Sequence, residues 1–196
     1  MTELFVPLET AIHGGEVEAN YTVKGPCDRC QGHASNRCPA CHGTRIAIHR
    51  KSATVAIAAG AWDGQRLVVE GAGHPGSNGG APGDAILSIA IVCSSAFRRD
   101  GLNLACEIQV DFVTAMLGGN LDLPVLGQPR QVTIPPNSQA GDIIRLRGQG
   151  LADRNGLRGD LMLQLALAMP REAAHLTEED RRSLRDMFAR AQRRSS

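Results

Sequence analysis

Cys27-Asp-Arg-Cys30-Gln-Gly32 and Cys38-Pro-Ala-Cys41-His-Gly43 are two copies of one pattern, C-x-x-C-x-G. Two residues between the thiols let both sulfurs of a pair face one ion. The Gly two positions further on lets the backbone curl, with positive φ where needed. Residues 31–37 separate the pairs, enough chain to reverse and bring four sulfurs to tetrahedral positions. Zn²⁺ takes that geometry and prefers soft thiolates. Four protein ligands leave no open position for water, so such a site is structural and not hydrolytic. Lys24, Arg29, Arg37 and Arg45 offset the negative charge of a tetrathiolate centre. Other readings of the same residues stand beside this one. C-x-x-C pairs can exchange disulfides, the thiols can stay reduced and unligated, and His33, His42 and His49 can compete as ligands. Cys93 and Cys106 lie apart in apolar surroundings and read as packed side chains.

Other residues that could do chemistry carry less. Gly71-Ala-Gly73-His-Pro-Gly76 matches G-x-G-x-x-G, but Ser77-Asn-Gly-Gly-Ala-Pro-Gly83 follows it and cannot start a helix, which a dinucleotide site needs. Asp63, Asp84, Asp142 and Asp160 each sit beside Gly, so turn hydrogen bonding explains them better than acid–base work. No nucleophile with plausible partners emerges, and the expectation is that the protein is not an enzyme.

The elements that must position the cysteines are duplicated. Val55 to Ile57, Gly64 and Gly73 match Val132 to Ile134, Gly141 and Gly150 at a constant offset of 77. Gly83-Asp84 matches Gly159-Asp160 at 76, and Thr10-Ala11 with Gly14-Gly15 matches Thr114-Ala115 with Gly118-Gly119 at 104. The first copy therefore holds 104 − 77 = 27 extra residues, and the clustered Cys lie inside that excess. Strands are expected at Val17–Val23, Ala53–Ile57, Arg66–Glu70 and Ala85–Ile91. The second copy should supply Leu104–Val110, Gly119–Val125, Gln131–Ile134, Ile143–Leu146 and Leu161–Leu167. Thr10–His13 and Thr114–Leu117 read as single helical turns. Only the C-terminus has a helical pattern. Thr177 can cap it with Asp180 three residues later, and Leu184, Met187, Phe188 and Ala191 share one face.

The expected fold is all-β, with two tandem homologous β-sandwich-like modules, a zinc-binding insertion and a C-terminal α-helix. Residues 1–92 form the first module, interrupted by the cysteine-rich 24–50. The second spans 93–170, and 171–196 hold the helix.

With 21 Lys plus Arg against 20 Asp plus Glu, the net charge is +1, and aromatics make up 3%. Such a chain lacks the field and the stacking platforms of a nucleic-acid binder. No apolar run reaches the ~18 residues that a membrane span needs. Met1–Pro7 shows neither a basic region nor a long apolar stretch, so the expectation is a reducing cytoplasmic setting.

Taken in order, Leu8-Glu9-Thr10-Ala11-Ile12-His13-Gly14, the two C-x-x-C-x-G repeats, Asp63-Gly64-Gln-Arg-Leu, Gly83-Asp84, Phe97 to Leu104, Ala115 to Gly119 and Gly159-Asp160-Leu161 form a recognisable series. It resembles the C-terminal substrate-binding region of DnaJ-type co-chaperones, the heat-shock 40-kDa class, over residues 4 to 190. The sequence contains no His-Pro-Asp tripeptide, so the family's J domain, and with it stimulation of a DnaK-type ATPase, is expected to be missing. Two cysteine repeats stand where the family usually has four. They resemble the outermost pair, which binds one zinc.

The resemblance implies binding of non-native polypeptide by a J-domain-less holdase or adaptor. An extended client would add as a strand beside the first module, with its side chains entering a groove at Ala19, Tyr21, Ala53 and Leu87. Parity agrees, because Val17, Ala19, Tyr21 and Val23 share one strand face. Leu184, Met187 and Phe188 fit a dimer contact, and the implied partners are client chains, a DnaK-type chaperone or a separate J-domain protein. The competing classes are a thiol–disulfide oxidoreductase and a nucleic-acid-binding module.

Overall fold

The computed structural model describes residues 2–33, 38–76 and 80–194. The chain is mainly strand, as expected. In order it forms β1 (Thr2–Pro7), α1 (Leu8–His13), β2 (Gly15–Pro26), β3 (Ile46–Ile57), β4 (Arg66–Val69), β5 (Ala85–Val92) and β6 (Phe97–Asp100). Then follow β7 (Asn103–Asp111), α2 (Phe112–Leu117), β8 (Gly119–Val125), β9 (Gln128–Ile134), β10 (Ile143–Leu146), β11 (Leu161–Ala168), a 3-10 turn at Arg171–His175 and α3 (Glu178–Arg194).

The duplication is a duplication of sheets. One sheet has the order β1-β5-β4, and another has β10-β11-β7 with β6 added at the edge. Each copy adds a two-stranded hairpin, β2-β3 or β8-β9. β1 runs parallel to β5, with Leu4 opposite Ile89 and Val6 opposite Ile91. Neither β1 nor β6 was expected from the sequence. Thr2–Pro7 is too short to show a period, and Phe97–Asp100 has three charged residues in four.

Two compact units emerge from the contact pattern: residues 1–106 with 145–163, and 107–144 with 164–196. In the first, alternate residues of four strands point inward. Leu4 and Val6 of β1, Ala19, Tyr21 and Val23 of β2, Val55 and Ile57 of β3, and Leu87 and Ile89 of β5 form one buried cluster. Side chains of this size contribute roughly 1.5–3 kcal/mol each when fully buried. The exposed partners between them are Glu16, Glu18, Asn20, Thr22 and Lys24 along β2. In the second unit, Val110 of β7, Val125 and Leu126 at the β8–β9 turn, Val132 and Ile134 of β9, and Leu165 of β11 are buried.

The α3 cap is as the sequence predicts. Asp180 N–H donates to Thr177 Oγ1 at 3.2 Å, and Thr177 N–H donates to Asp180 Oδ2 at 2.9 Å. This reciprocal pair satisfies two donors at the helix start. Three of the four recurring aspartates serve turns, Asp142 accepting from Gln139 N–H at 2.7 Å, whereas Asp63 accepts from Ile91 N–H of β5 at 2.9 Å and pairs with Arg99 at 3.0 Å. Asp84 accepts from Gly71 N–H at 2.9 Å, and Asp160 accepts from Gly148 N–H at 2.8 Å. Of the stretch set against a dinucleotide helix, 77–79 lie outside the described residues, and 80–83 are irregular. No helix among the described residues is long and apolar enough to cross a membrane.

Candidate metal centre and strand-edge groove

β2 and β3 are longer than their patterns suggested. They pair antiparallel without interruption from Gly15 opposite Ile57 to Pro26 opposite Ile46. The polar tips, Lys24 and His49 to Lys51, break the alternation that marks a strand, but backbone pairing continues through them. The cysteine segment is therefore the end loop of one long hairpin.

In that loop the two C-x-x-C-x-G repeats adopt one conformation twice. Gln31 N–H donates to Cys27 O at 2.6 Å and His33 N–H to Cys30 O at 2.7 Å. The second repeat has His42 N–H to Cys38 O at 2.8 Å and Thr44 N–H to Cys41 O at 2.9 Å. Gln31 and Gly32 have φ of 49° and 78°, and His42 and Gly43 have 48° and 84°. The second residue of each left-handed pair is Gly because that region costs it nothing. Cys27 N–H donates to Arg45 O at 3.0 Å, which closes the loop onto the hairpin stem.

All four sulfurs lie within 4.8 Å of one another. Cys27 Sγ to Cys38 Sγ is 3.9 Å, and Cys30 Sγ to Cys41 Sγ is 3.7 Å. A tetrahedron with metal–sulfur bonds of ~2.3 Å has edges of about 3.8 Å. The cluster thus has the size of a tetrathiolate site and can hold a metal ion. Cys27, Cys38 and Cys41 are buried and Cys30 half-buried. Burial pushes the Cys30 thiol up to about 11. Backbone N–H groups of Cys41 and Ala40 bring Cys38 down to about 7. A cation among the sulfurs favours the thiolate form of all of them.

The three nearby histidines are not in this group. His33 and His42 are exposed. His49 turns to the stem, 3.0 Å from Pro26 O and 3.7 Å from Asp28 Oδ1. Lys24, Arg29 and Arg45 are exposed near the loop, and Arg37 lies outside the described residues. Cys93 and Cys106 are half-buried and stand apart from the cluster.

The four residues expected at a peptide groove separate into two pairs. Ala19 and Ala53 face each other across the hairpin. Ala19 is buried in the core and Ala53 packs against it. Tyr21 and Leu87, also largely buried, form part of the wall of a groove of about 320 Å³. Thr22, Val23, Arg66, His74, Ala85 and Ile86 line it too. Parity along β2 and β5 would have found Val23 and Ala85. No sequence signal placed His74 there, because it belongs to the loop between β4 and β5.

The groove follows the outer edge of β2, which pairs with β3 alone among the described residues. Lys24 N–H points outward, away from β3, and donates to His74 Nδ1 at 2.9 Å. In an antiparallel ladder every second residue faces the same side. Asn20 and Thr22 therefore also present their N–H and C=O groups outward. Elsewhere, Leu184 of α3 is half-buried, and Met187 and Phe188 are 53% and 47% exposed.

Comparison with known proteins gives a consistent picture. The model of the DnaJ C-terminal domain family matches residues 1–170. The chaperone protein DnaJ of Polaromonas naphthalenivorans is 36% identical over 186 residues, covering 91% of this chain and 48% of that protein. Its counterpart in Bordetella petrii is 37% identical over 225 residues, covering 93% of this chain and 59% of its own length. For that of Rickettsia akari the figures are 35% over 156 residues, 77% and 42%. The chain spans about half the length of these relatives.

Proposed function

The chain belongs to the DnaJ C-terminal domain family, and on that premise we propose that it binds extended segments of non-native polypeptide by strand addition. A client strand lies along the outer edge of β2 and hydrogen-bonds to the N–H and C=O groups of Asn20 and Thr22. Its alternate side chains enter the groove at Tyr21, Val23, Ala85 and Leu87. Main-chain bonds supply affinity with little sequence preference, and the groove selects small apolar side chains. Ala19 and Ala53 support this wall from beneath. The observation that carries the reading is the coincidence of a groove, walled in part by Tyr21, Val23, Ala85 and Leu87, with an edge strand whose outward groups have no strand partner among the described residues.

The four cysteines hold one structural Zn²⁺, which fixes the hairpin end loop and leaves those thiols no redox role. Residues 1–92, interrupted by 24–50, act as the client module, and 93–170 act as its scaffold-like homologue. Residues 171–196 act through Leu184, Met187 and Phe188 in a homodimer, so that two grooves share one client. The protein works without catalysis, as a holdase or adaptor in the cytoplasm, with a DnaK-type chaperone or a J-domain protein as its partner. Sedimentation that shows only monomer at micromolar concentration would remove the shared-client argument.

Thr22→Pro tests strand addition directly. Proline removes an outward N–H and is tolerated on an edge strand, because no β2–β3 bond is lost. Affinity for a fluorescent unfolded-peptide probe should fall about 5- to 30-fold, equivalent to ~1–2 kcal/mol. The melting curve should stay near that of the parent chain. Unchanged affinity in an anisotropy titration would sink the reading.

A further inference from the structure

The outer edge of β2 is not open along its whole length. At Lys24 a side chain from another segment occupies the place of a strand. His74 Nδ1 accepts from Lys24 N–H at 2.9 Å and lies 3.2 Å from Lys24 O. One ring thus covers both outward groups of this residue.

The contact is built from several sides. Gly73 N–H donates to Gly83 O at 2.7 Å, and Gly83 N–H donates to His74 O at 2.9 Å. These bonds clamp the backbone on both sides of the imidazole. Gly73 packs so closely that an added Cβ would sit 2.4 Å from Asp84 O. Pro75 comes against the neighbouring residue of β2, where a Cβ on Gly25 would lie 3.3 Å from Pro75 Cγ and 2.9 Å from His49 Cδ2. His74 also lines the groove itself.

We propose that His74 is a register stop, a specificity-determining residue that ends client pairing at Thr22 and keeps the added strand away from the cysteine loop. This inference rests on the strand-addition reading above. Pairing in steps of two residues makes the next outward pair Lys24, and a client reaching it must displace the ring. The stop limits the client's hydrogen-bonded length and makes short extended segments the preferred ligand class. It also fixes which client side chain falls at Ala85. Longer β-prone segments gain nothing from residues beyond the stop.

Amide hydrogen exchange read residue by residue tests this, using an unfolded-peptide probe of more than ten residues and the full chain. In the parent protein the probe should slow exchange at Asn20 and Thr22. Lys24, already bonded, should stay unchanged. In His74→Ala, Lys24 N–H should exchange faster without probe and become protected with it. The long probe should then bind about fivefold tighter, and a short one ending at the stop should bind as before. His74→Gln keeps an acceptor and should restore parental behaviour, separating the ring contact from loop damage. Protection that spreads through Lys24 in the parent chain, or no faster exchange in His74→Ala, would overturn the stop. Absence of probe protection at Asn20 and Thr22 in every variant would overturn strand addition itself.

Discussion

The two copies differ most where their scaffolds agree best. α1 and α2 end alike, with Gly14 N–H donating to Thr10 O and Gly118 N–H donating to Thr114 O, both at 2.8 Å. The three-strand orders β1-β5-β4 and β7-β11-β10 are the same. On this shared frame the second hairpin is short, seven residues a side, and turns at Leu126-Gly127. The first has twelve residues a side and carries the cysteine loop. Below the hairpin, Ala85 of the first copy stands where the second has Leu161, by the same offset of 76 that relates Asp84 to Asp160. Ala85 lines a groove, whereas Leu161 is 0% exposed. At this position the first copy has a small side chain bordering a groove, and the second fills the equivalent place with a buried Leu.

Metal removal should separate the copies most strongly. Structural zinc binds with roughly 10–16 kcal/mol of apparent free energy, so a strong chelator, or Cys38→Ser, should unfold the loop. Hydrogen exchange should show lost protection at Gln31, His33, His42 and Thr44, while Gly118 and Ser138 stay protected. Loss in both copies at once would show that the loop supports the whole chain.

Next in size is Leu161→Ala. Its side chain is fully buried, and truncation should cost ~2–5 kcal/mol in a denaturant titration without creating a second peptide site. The converse, Ala85→Leu, should fill the groove. Peptide affinity should fall at least about tenfold, ~1.4 kcal/mol, and because Ala85 also belongs to the buried cluster, overpacking should cost about 1–3 kcal/mol of stability. If Ala85→Leu binds as the parent does, the groove is not where client side chains go.

Asp111 gives the smallest contrast. It caps α2 by accepting from Thr114 N–H at 2.9 Å, whereas α1 begins at Pro7 with no side-chain cap. Asp111→Ala should cost about 1 kcal/mol. Hydrogen bonds from Thr114 hold the Asp111 carboxyl below its ordinary value, and Gly148 N–H followed by Arg145 does the same for Asp160. A carboxylate whose folded pKa is lowered stabilises above the unfolded value of ~3.9 and loses that contribution as pH falls through the folded one. Acid titration below about pH 4 should therefore remove this small contribution from the parent chain's stability, and Asp111→Asn should lose that part of the pH dependence.

Much of this was legible in the residues themselves. Spacing alone located the metal cluster, because two thiols separated by two residues must lie close together whatever surrounds them. The offsets located the duplication, and the turn aspartates were where repetition placed them. The Thr177–Asp180 cap is a purely local arrangement and read equally well. Less legible were β1, which forms only because β5 offers it a parallel partner, and the outer half of the β2–β3 hairpin, held by pairing and not by pattern. The peptide-groove residues were read from resemblance, and parity could say that Tyr21 faces inward but not whether space was left beside it.

Sequence determined most of the strands, the repeats and the four-sulfur cluster, since each depends on residues near one another along the chain or on a pattern counted along it. Tertiary structure decided that Ala85 borders a groove while Leu161 is packed, which edge of β2 is left without a strand, and that His74, fifty residues from Lys24, closes the end of that edge. Those outcomes depend on what fills the space between distant segments. A linear pattern carries the sizes of the side chains but not the gaps between them.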